Sequence, residues 1–418
     1  MTYDLIIQNA RIASNNPKSG LDSPTDIGVL KGLISAIGDL SRSSAHATFD
    51  ADGQLVCPGF TESHIHLDKA CILDRCCIQE GTLAEAVEQT SDAKENFTFD
   101  DVYERASRVV QMAIKQGTMH LRTFVETDPK ADLISFDAIK RVRTDHAHLI
   151  DIQICAFAQE GLTDQPQTQN LIKEALSLGA DLIGGCPYKD TDPDAHIELI
   201  FEIAREFDVD IDFHLDFDLD ASGSSIPKVV EQTQRYGYAG RVSIGHVTKL
   251  CAIDDQTRSD MIQQLSQAGV ALIVLPATDL FLGGRDAAAS GEHQFIPRGM
   301  VNAADLLEAG GVAALSSNNI QNAFTPYGDA SLLRMANLYA NVAQLASDHE
   351  IQQAFDMISE HPAKILGLNA QIAVGAPADL LVLQASNPVD ALRSIAQPLA
   401  GFKSGRMSFS RPAAQIYQ

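Results

Sequence analysis

The sequence has few basic residues and few cysteines. Lysine and arginine together number 31 against 55 acidic residues, which gives a net charge of −24. This charge repels nucleic acids and anionic membrane surfaces, and no basic cluster offsets it. The 7 cysteines are an odd number without CxxC spacing, which favours reduced thiols over disulfides or a cysteine-rich zinc site. We therefore expect a small-molecule partner, with no nucleic acid and no membrane.

Long apolar runs are also missing. No stretch reaches the roughly 18 apolar residues of a membrane span. The start of the chain has neither the basic region nor the apolar run of a signal peptide, so a cytoplasmic protein is expected. No Gly-x-Gly-x-x-Gly follows an early strand, which weighs against dinucleotide binding. With 418 residues and 45% hydrophobic content, the chain fits one large domain plus a small one.

Both ends of the chain have the pattern of short strands. Residues 3–56 alternate β-rich runs with turn signals, and the segments 375–383 and 401–409 look the same. These segments are too small and too β-rich for α/β repeats. We therefore predict that residues 1–56 and 367–418 form one small β-sandwich domain, beside a central domain of residues 57–366.

Between the ends, apolar strand-like runs alternate with helix-length amphipathic segments at a spacing of roughly 30 residues. The runs are 55–66, 119–126, 151–158, 181–187, 210–217, 241–248, 271–277 and 312–318. Gly117 and Gly179 stand where a helix should end before the next strand. These βα units predict a TIM (β/α)8 barrel rather than an open doubly wound sheet.

Two histidines at the end of the first run, His64 and His66, indicate a metal site. Side chains alternate along a strand, so both lie on one face, about 6.6 Å apart along the strand. Hydrogen bonding to barrel neighbours would be the better interpretation for either histidine alone. The pair, followed by an acid at the next inward position, Asp68, favours a metal site.

Other polar residues fall at the carboxyl ends of the predicted strands, where barrel enzymes carry their active sites. Gln159 follows strand three, His214 is near the end of strand five, His246 ends strand six, and Asn318 and Asn319 end strand eight. The other histidines lie in helical, loop or strand-start positions, where surface or capping roles are the better interpretation. The selected residues are therefore expected to converge.

The chain resembles the amidohydrolase superfamily, and within it the cytosine deaminase and N-isopropylammelide hydrolase branch. The resemblance covers nearly the whole chain and is carried by residues 58–68, 156–161 and 319–329, with the His214 strand and Gly245-His246. It implies a metal-dependent hydrolase, with a metal-activated water, that acts on a carbon–nitrogen bond other than a peptide bond. The implied substrate is a small, cyclic, nitrogen-rich compound.

The resemblance also implies roles for individual residues. In this branch two histidines of strand one, a histidine of strand five and an aspartate of strand eight hold one metal ion. Carried over, this makes His64, His66 and His214 ligands, places His246 beside the bound water and makes Gln159 a substrate contact. No lysine lies inside strand four to bridge two ions, so one divalent ion, zinc or iron, is expected.

Two positions depart from the branch. Asn318 stands where the branch has the strand-eight aspartate, and Phe217 stands where its deaminases carry a proton-shuttling glutamate. A carboxamide cannot accept a proton near neutral pH, so Asn318 is expected to be a neutral oxygen ligand and the base must come from elsewhere. Phe217 disfavours cytosine and favours a hydrophobic or N-substituted substrate.

Three carboxylates are candidates to replace the missing acid. By strand parity Asp216 and Asp218 lie on the face of His214, and Asp68 lies on the face of His64. We predict Asp216 and Asp218 as catalytic residues beside His246, and Asp68 as a substrate contact. The alternative for each acid is a solvated position at the barrel rim.

Arg285 and Asn319 complete the predicted substrate contacts. Arg285 follows strand seven in the segment Leu282-Gly-Gly-Arg, where it could anchor a substrate oxygen or be a surface cation.

The alternative function is a metal-poor, catalytically altered barrel that binds a small molecule, which Asn318 favours. Barrels of this kind often associate, so a homo-oligomer is an open alternative to the monomer.

Overall fold

The computed structural model describes residues 2–12, 24–285, 298–412, 414 and 416–417. Its strands form two sheets of eight strands each. One sheet consists of parallel neighbours in chain order, and the other combines strands from both ends of the chain. The predicted TIM barrel with a flanking β domain from both termini is confirmed.

The barrel strands are parallel, and each pairs with the next along the chain. They are β6 (Phe60–Ile65), β7 (Thr118–Glu126), β8 (Asp151–Ala158), β9 (Leu182–Gly185), β10 (Asp210–Leu215), β11 (Val242–His246), β12 (Val270–Val274) and β13 (Ala313–Leu315). The backbone of Asn318 closes the ring, because its N–H donates to His64 O at 2.9 Å and its carbonyl accepts from His66 N at 2.8 Å.

Helices follow the barrel strands and cover their outer face. They are α1 (Leu83–Lys94), α2 (Phe99–Lys115), α3 (Ile134–His146), α4 (Pro166–Ser177), α5 (Pro193–Phe207), α6 (Ile226–Tyr236), α7 (Asp255–Ala268), α8 (Pro276–Leu282), α9 (Ala304–Glu308), α10 (Leu332–Val342), α11 (Asp348–Asp356) and α12 (Glu360–Ile365). Within the described residues, no helix combines the length and the apolar character needed to cross a membrane.

Local signals start and end these helices. The Thr98 hydroxyl accepts a hydrogen bond from Asp101 N at the start of α2, which satisfies a backbone donor that the helix itself leaves free. At the end of α7, Gly269 adopts φ 68°, a conformation that glycine takes without steric cost. Side chains such as Phe201 of α5 and Phe213 of β10 are fully buried between the helices and the barrel.

The second sheet is built from both ends of the chain. Its strands are β1 (Thr2–Ile12), β2 (Thr25–Leu30), β3 (Leu33–Gly38), β4 (Ser44–Asp50), β5 (Leu55–Pro58), β14 (Leu380–Leu383), β15 (Pro398–Lys403) and β16 (Arg406–Ser410), with α13 (Pro388–Ser394) between β14 and β15. Because β5 pairs with both β1 and β14, it joins the amino-terminal strands to the carboxyl-terminal ones. The sheet has its own apolar core, which includes Ile7, Val29 and Val382.

The predicted first run, 55–66, is two strands rather than one. Residues 55–58 belong to the terminal sheet, and the barrel begins at Phe60 after Gly59, whose N–H donates to Asp379 O. Every residue of both strands is buried, although most residues of β6 are polar, so burial continues through the break. The boundaries 1–56, 57–366 and 367–418 remain our proposal for the division into domains.

Candidate active site

Three predicted ligands converge at the carboxyl end of the barrel. His64 and His66 lie at the end of β6, and His214 lies near the end of β10. The Nε2 atom of His214 is 3.1 Å from that of His64 and 2.9 Å from that of His66. Ligand atoms around one tetrahedral zinc ion lie about 3.3 Å apart, so these three nitrogens fit a shared ion.

The surroundings keep these histidines neutral and hold their rings. Burial lowers the pKa of His64, His66 and His214 well below the usual value, and neutral imidazole is the form that binds a metal ion. The ring of Phe124 lies 4.1 Å from that of His64, and the ring of Phe157 lies 4.3 Å from that of His214, measured between centroids. These aromatic contacts limit rotation of the ligand rings.

Asn318 lies beside the histidines at the end of β13. Its side chain is buried, and its Oδ1 atom has no hydrogen-bond partner among the described residues. Its φ of 59° is in the left-handed region, which asparagine tolerates better than most residues. The unpartnered Oδ1 is therefore the atom available to a metal ion, whereas Nδ2 is 3.5 Å from His246 Nε2.

His246 is paired with a carboxylate that the sequence analysis did not identify. Its Nδ1 atom lies 2.7 Å from Oδ1 of Asp279, a fully buried residue of α8. Oδ2 of Asp279 accepts a hydrogen bond from Leu275 N at 3.2 Å. Burial raises the pKa of Asp279, and the contact with His246 works against that shift. The only sequence signal for Asp279 was its place two residues after the seventh predicted run.

The structure does not bring Asp216 and Asp218 to the histidines. Asp216 accepts hydrogen bonds from Ser224 Oγ at 2.6 Å and Ser225 N at 3.1 Å, and Asp218 is bound by Lys249 Nζ at 2.6 Å. Burial raises the pKa of Asp216. The alternation of side chains stops before these acids, because β10 ends at Leu215 and Asp216 adopts φ 47°, and the catalytic role of the two acids stays a prediction.

Asp68 supports the site rather than lining it. Its Oδ1 accepts from Lys69 N at 2.8 Å and its Oδ2 accepts from Glu126 N at 2.8 Å, so the carboxylate ties the loop after β6 to the end of β7. Burial and the neighbouring Glu126 raise the pKa of Asp68. Both carboxylate oxygens are therefore occupied by backbone donors.

Lys69 is a second residue that the sequence analysis left without a role. It is almost fully buried, and its Nζ atom donates to Glu126 Oε1 at 2.7 Å and to Gln159 Oε1 at 2.9 Å. Glu126 also binds Lys94 at 2.8 Å, and these two lysines lower the pKa of the glutamate against the effect of its burial. A buried ammonium group is thus held at the cavity wall next to the predicted substrate contact Gln159.

The histidines and these polar residues enclose a small cavity. Its polar lining includes Lys69, Gln159, His246, Asn318 and Asn319, and its apolar lining includes Leu83, Phe217, Leu282 and Phe324. The free space is about 20 Å³, which is room for little more than one water molecule.

Phe217 forms the apolar side of this cavity next to His246. The two ring centroids are 4.5 Å apart, with the planes inclined at 67°. Phe217 packs against a buried apolar cluster that includes Ala86, Leu282 and Phe324. Phe217 therefore gives this side of the cavity an apolar surface, at the position where the resemblance implies a glutamate.

Asn319 and Arg285 differ in their position relative to the cavity. Asn319 lines it, and its Oδ1 accepts from Asn322 Nδ2 at 2.8 Å. Arg285 lies outside the lining, because Nε donates to Phe281 O at 3.1 Å and Nη1 donates to Glu80 O at 3.2 Å. The structure therefore places Arg285 at a loop contact, as in the alternative interpretation of this residue.

Three imidazole nitrogens converge at the ends of the first and fifth barrel strands, an arrangement suited to a metal-dependent hydrolase. A profile described as "Amidohydrolase family" matches residues 99–400, which is more than half of the chain. The protein belongs to the amidohydrolase family.

Two relatives show how far this similarity extends. N-isopropylammelide isopropyl amidohydrolase of Pseudomonas sp. (strain ADP) is 28% identical over 415 residues, which cover 97% of each chain. Pterin deaminase of Rhizobium rhizogenes is 28% identical over 365 residues, which cover 86% of this chain and 82% of the deaminase.

A solved structure agrees with this relationship. The crystal structure of 5-methylcytosine deaminase from Klebsiella pneumoniae, liganded with 5-fluorocytosine, has a TM-score of 0.91 at 26% identity and covers 99% of both chains. Together with the family match, these findings support the amidohydrolase superfamily and its cytosine deaminase-like branch. The protein is a hydrolase acting on carbon–nitrogen bonds other than peptide bonds.

Proposed function

We propose that the protein is a metal-dependent deaminase or amidohydrolase for a small, cyclic, nitrogen-rich compound. The observation that carries this proposal is the convergence of three histidine Nε2 atoms beside a small cavity whose wall also holds a buried ammonium group. The imidazoles provide a place for a metal ion, and the ammonium group provides a hydrogen-bond donor for a polar heterocycle.

One divalent ion, zinc or iron, would be held by His64, His66 and His214, with Asn318 Oδ1 as a neutral oxygen ligand. Nitrogen and oxygen donors of this kind suit both metals. When bound, such an ion lowers the pKa of a coordinated water from about 15.7 toward about 7 and polarises the attacked carbon. The unpartnered Oδ1 of Asn318 supports its assignment as a ligand.

His246 and Asp279 are the proposed proton-transfer pair. Asp279 accepts the hydrogen bond from Nδ1–H of His246, so the lone pair of Nε2 is directed to the cavity side where Asn318 lies. Nε2 can then accept a proton from the attacking water and pass it to the departing nitrogen, while Asp279 stabilises the imidazolium form. This pair accepts the proton that a strand-eight carboxylate would accept if Asn318 were an aspartate.

The cavity walls indicate the kind of substrate. Lys69, Gln159 and Asn319 offer hydrogen-bonding groups on one side, which suits the oxygen or nitrogen atoms of an oxo-substituted heterocycle. Phe217 and Phe324 offer apolar surfaces suited to a planar ring. Since Phe217 also lies against His246, an amine that carries an apolar substituent would suit this site better than free ammonia.

The test is a panel of aminopyrimidines, triazines, pterins and cyclic amides, assayed for release of ammonia or an amine by zinc- and iron-loaded protein. About one metal ion per chain is expected. The matched control is the double variant His64→Ala/His66→Ala, which should lose the metal and remain folded. Full metal content in the double variant, or no product from any compound, would contradict the proposal.

A further inference from the structure

Two buried polar atoms near the barrel axis face each other without a hydrogen-bond partner. Asp212 of β10 and His64 of β6 are both fully buried, and Asp212 Oδ1 lies 3.9 Å from His64 Nδ1. Neither atom has a hydrogen-bond partner among the described residues. Buried polar groups are nearly always hydrogen-bonded in native proteins, so an unpartnered pair at a metal site indicates a bond that forms when the site is occupied.

We propose that Asp212 is a positioning residue for metal binding, which holds the ring of His64 by accepting a hydrogen bond from Nδ1–H. This inference rests on the metal site proposed above. A neutral imidazole that binds an ion through Nε2 carries its proton on Nδ1. A carboxylate on that proton orients the ring and makes the coordinating nitrogen a stronger ligand. At 3.9 Å the two atoms are too far apart for a hydrogen bond, so a small tilt of the ring must close the gap.

Arg122 of β7 anchors Asp212 from the opposite side. Its Nη1 donates to Asp212 Oδ2 at 3.0 Å and to Ser243 Oγ at 3.3 Å. Its Nε and Nη2 donate to Gln153 Oε1 at 3.2 and 3.1 Å. Because the guanidinium group is also held by Ser243, Gln153 and the carbonyl of Ile365, Oδ2 of Asp212 is fixed and Oδ1 remains directed at His64.

His64 is the ligand to which the barrel supplies such a partner. The Nδ1 atoms of His66 and His214 are also unpartnered, but in the described part of the chain no carboxylate forms an ion pair with either ring. The proposed ligands are three histidines and the neutral amide of Asn318, so no carboxylate binds the ion directly. Asp212 therefore brings a negative charge to the ion through the ring of His64.

The test is the Zn²⁺ affinity of the full chain, measured by competition with a chelator. Asp212→Asn preserves the shape of the side chain and should weaken Zn²⁺ binding about 10- to 100-fold. Asp210→Asn is the matched control, because Asp210 lies two residues earlier on β10 and binds Arg241 at 2.7 Å instead. The control should bind Zn²⁺ as the wild type does. Equal affinity in the wild type and Asp212→Asn overturns the proposal.

A second measurement needs no variant, since Asp212→Asn leaves Arg122 without its carboxylate and could fail to fold. In NMR spectra of the Zn²⁺-loaded wild type with ¹⁵N-labelled histidine, His64 should show a downfield, slowly exchanging Nδ1–H. Strong contacts to Phe124, whose ring centroid is 4.1 Å from that of His64, combined with weak contacts to Phe157, which lies 4.3 Å from His214 and 5.6 Å from His66, assign the signal. An unprotonated Nδ1, or one exchanging as fast as those of His66 and His214, overturns the proposal.

The two measurements separate this inference from the proposed function. A wild-type protein that binds no Zn²⁺ overturns the metal site and this inference with it. A wild type that binds Zn²⁺ tightly, combined with an Asp212→Asn variant that binds equally well, overturns the role of Asp212 alone.

Discussion

The candidate metal ligands of this site are neutral, and the carboxylates near them face histidine rings instead of the metal position. Asn318 is neutral, and two buried carboxylates face histidine rings of the site: Asp279 lies on the far side of His246 and Asp212 on the far side of His64. A metal ion with only neutral ligands keeps more of its positive charge, so a coordinated water ionises more readily. This effect partly compensates for the base that a strand-eight aspartate would provide.

The role of Asp279 can be isolated from that of His246. Asp279→Asn should lower turnover of an identified substrate at least about 10²-fold, because His246 loses the group that fixes its tautomer and stabilises its charged form. Metal content should stay unchanged. In the His246→Ala background the same substitution should add no further loss, which a double-variant cycle of turnover measures. Additive losses would show that Asp279 acts only through stability.

Asn318→Asp tests whether the natural site is complete. The added carboxylate should tighten metal binding and leave activity intact or shift its pH optimum, since in the proposed mechanism His246 and Asp279 already move the proton. Metal affinity and turnover across pH are the measurements, with His246→Ala beside them. Activity seen only in Asn318→Asp, with His246→Ala silent, would instead identify the natural protein as a binding protein derived from a hydrolase.

Phe217 is expected to make cytosine a poor substrate. The wild type should turn cytosine over poorly, because an apolar side chain leaves ring nitrogens without a partner. Phe217→Glu should raise the turnover of cytosine relative to N-alkylated compounds, and Phe217→Leu, the apolar control, should not. Competition assays with paired substrates measure this ratio. Efficient turnover of cytosine by the wild type would contradict the prediction.

At the scale of elements, one buried carboxylate holds the loop after β8 that begins with Gln159. Asp190 accepts hydrogen bonds from the backbone N–H groups of Leu162, Thr163 and Asp164 at 2.9 to 3.2 Å, and it lies 2.6 Å from His196 Nδ1. Burial acts to raise the pKa of Asp190, but the contacts with His196 and the backbone amides lower it below the usual value. The hydrogen bonds that hold this loop therefore require Asp190 to be charged.

Asp190→Asn should lower the free energy of unfolding by about 1–3 kcal/mol, because several donors lose their charged acceptor. A lowered pKa stabilises the fold above the unfolded value near 4, and this contribution disappears as the pH falls through and below that value. Urea unfolding at pH 7 and at pH 3, below the unfolded value, measures both effects, with the exposed Asp194→Asn as control. An equal loss of stability in both variants would contradict this role of Asp190.

At the scale of the whole molecule, Lys403 connects the terminal sheet to the barrel. Its Nζ atom on β15 lies 2.7 Å from both Asp151 of β8 and Asp379 beside β14. His120 of β7 lies within 3.1 and 3.2 Å of the same two carboxylates. The contact therefore places two bases between two acids at the amino-terminal end of the barrel.

Stability should consequently decrease as the pH rises above neutrality. Burial acts to lower the pKa of His120, but the contacts with Asp151 and Asp379 outweigh it and raise the pKa. A raised histidine pKa stabilises the fold fully below the unfolded value near 6.5, and the contribution is lost as the pH rises through the folded value. Urea unfolding from pH 6 to pH 9 should show this decline in the wild type and a smaller one in His120→Gln. Identical slopes would contradict it.

The architecture and the candidate metal ligands could be predicted from the sequence. Strand and helix periodicities are local, so the alternating runs predicted the barrel, and the β-rich ends predicted a sheet shared by both termini. Since parallel barrel strands bring their carboxyl ends together, His64, His66, His214 and His246 could be placed at one end without coordinates. For these residues, the position along a predicted strand was sufficient to place them at the carboxyl end of the barrel.

The acids and bases that meet around those histidines depend on long-range contacts of the fold. Asp279 reaches His246 across 33 residues of chain, and Lys69 reaches Gln159 across 90. Such pairs depend on how loops and helices return to the barrel, which no short-range pattern encodes. Asp216 shows the same limit on a smaller scale, because a single left-handed residue after β10 turned its carboxylate away from the face that strand parity had assigned.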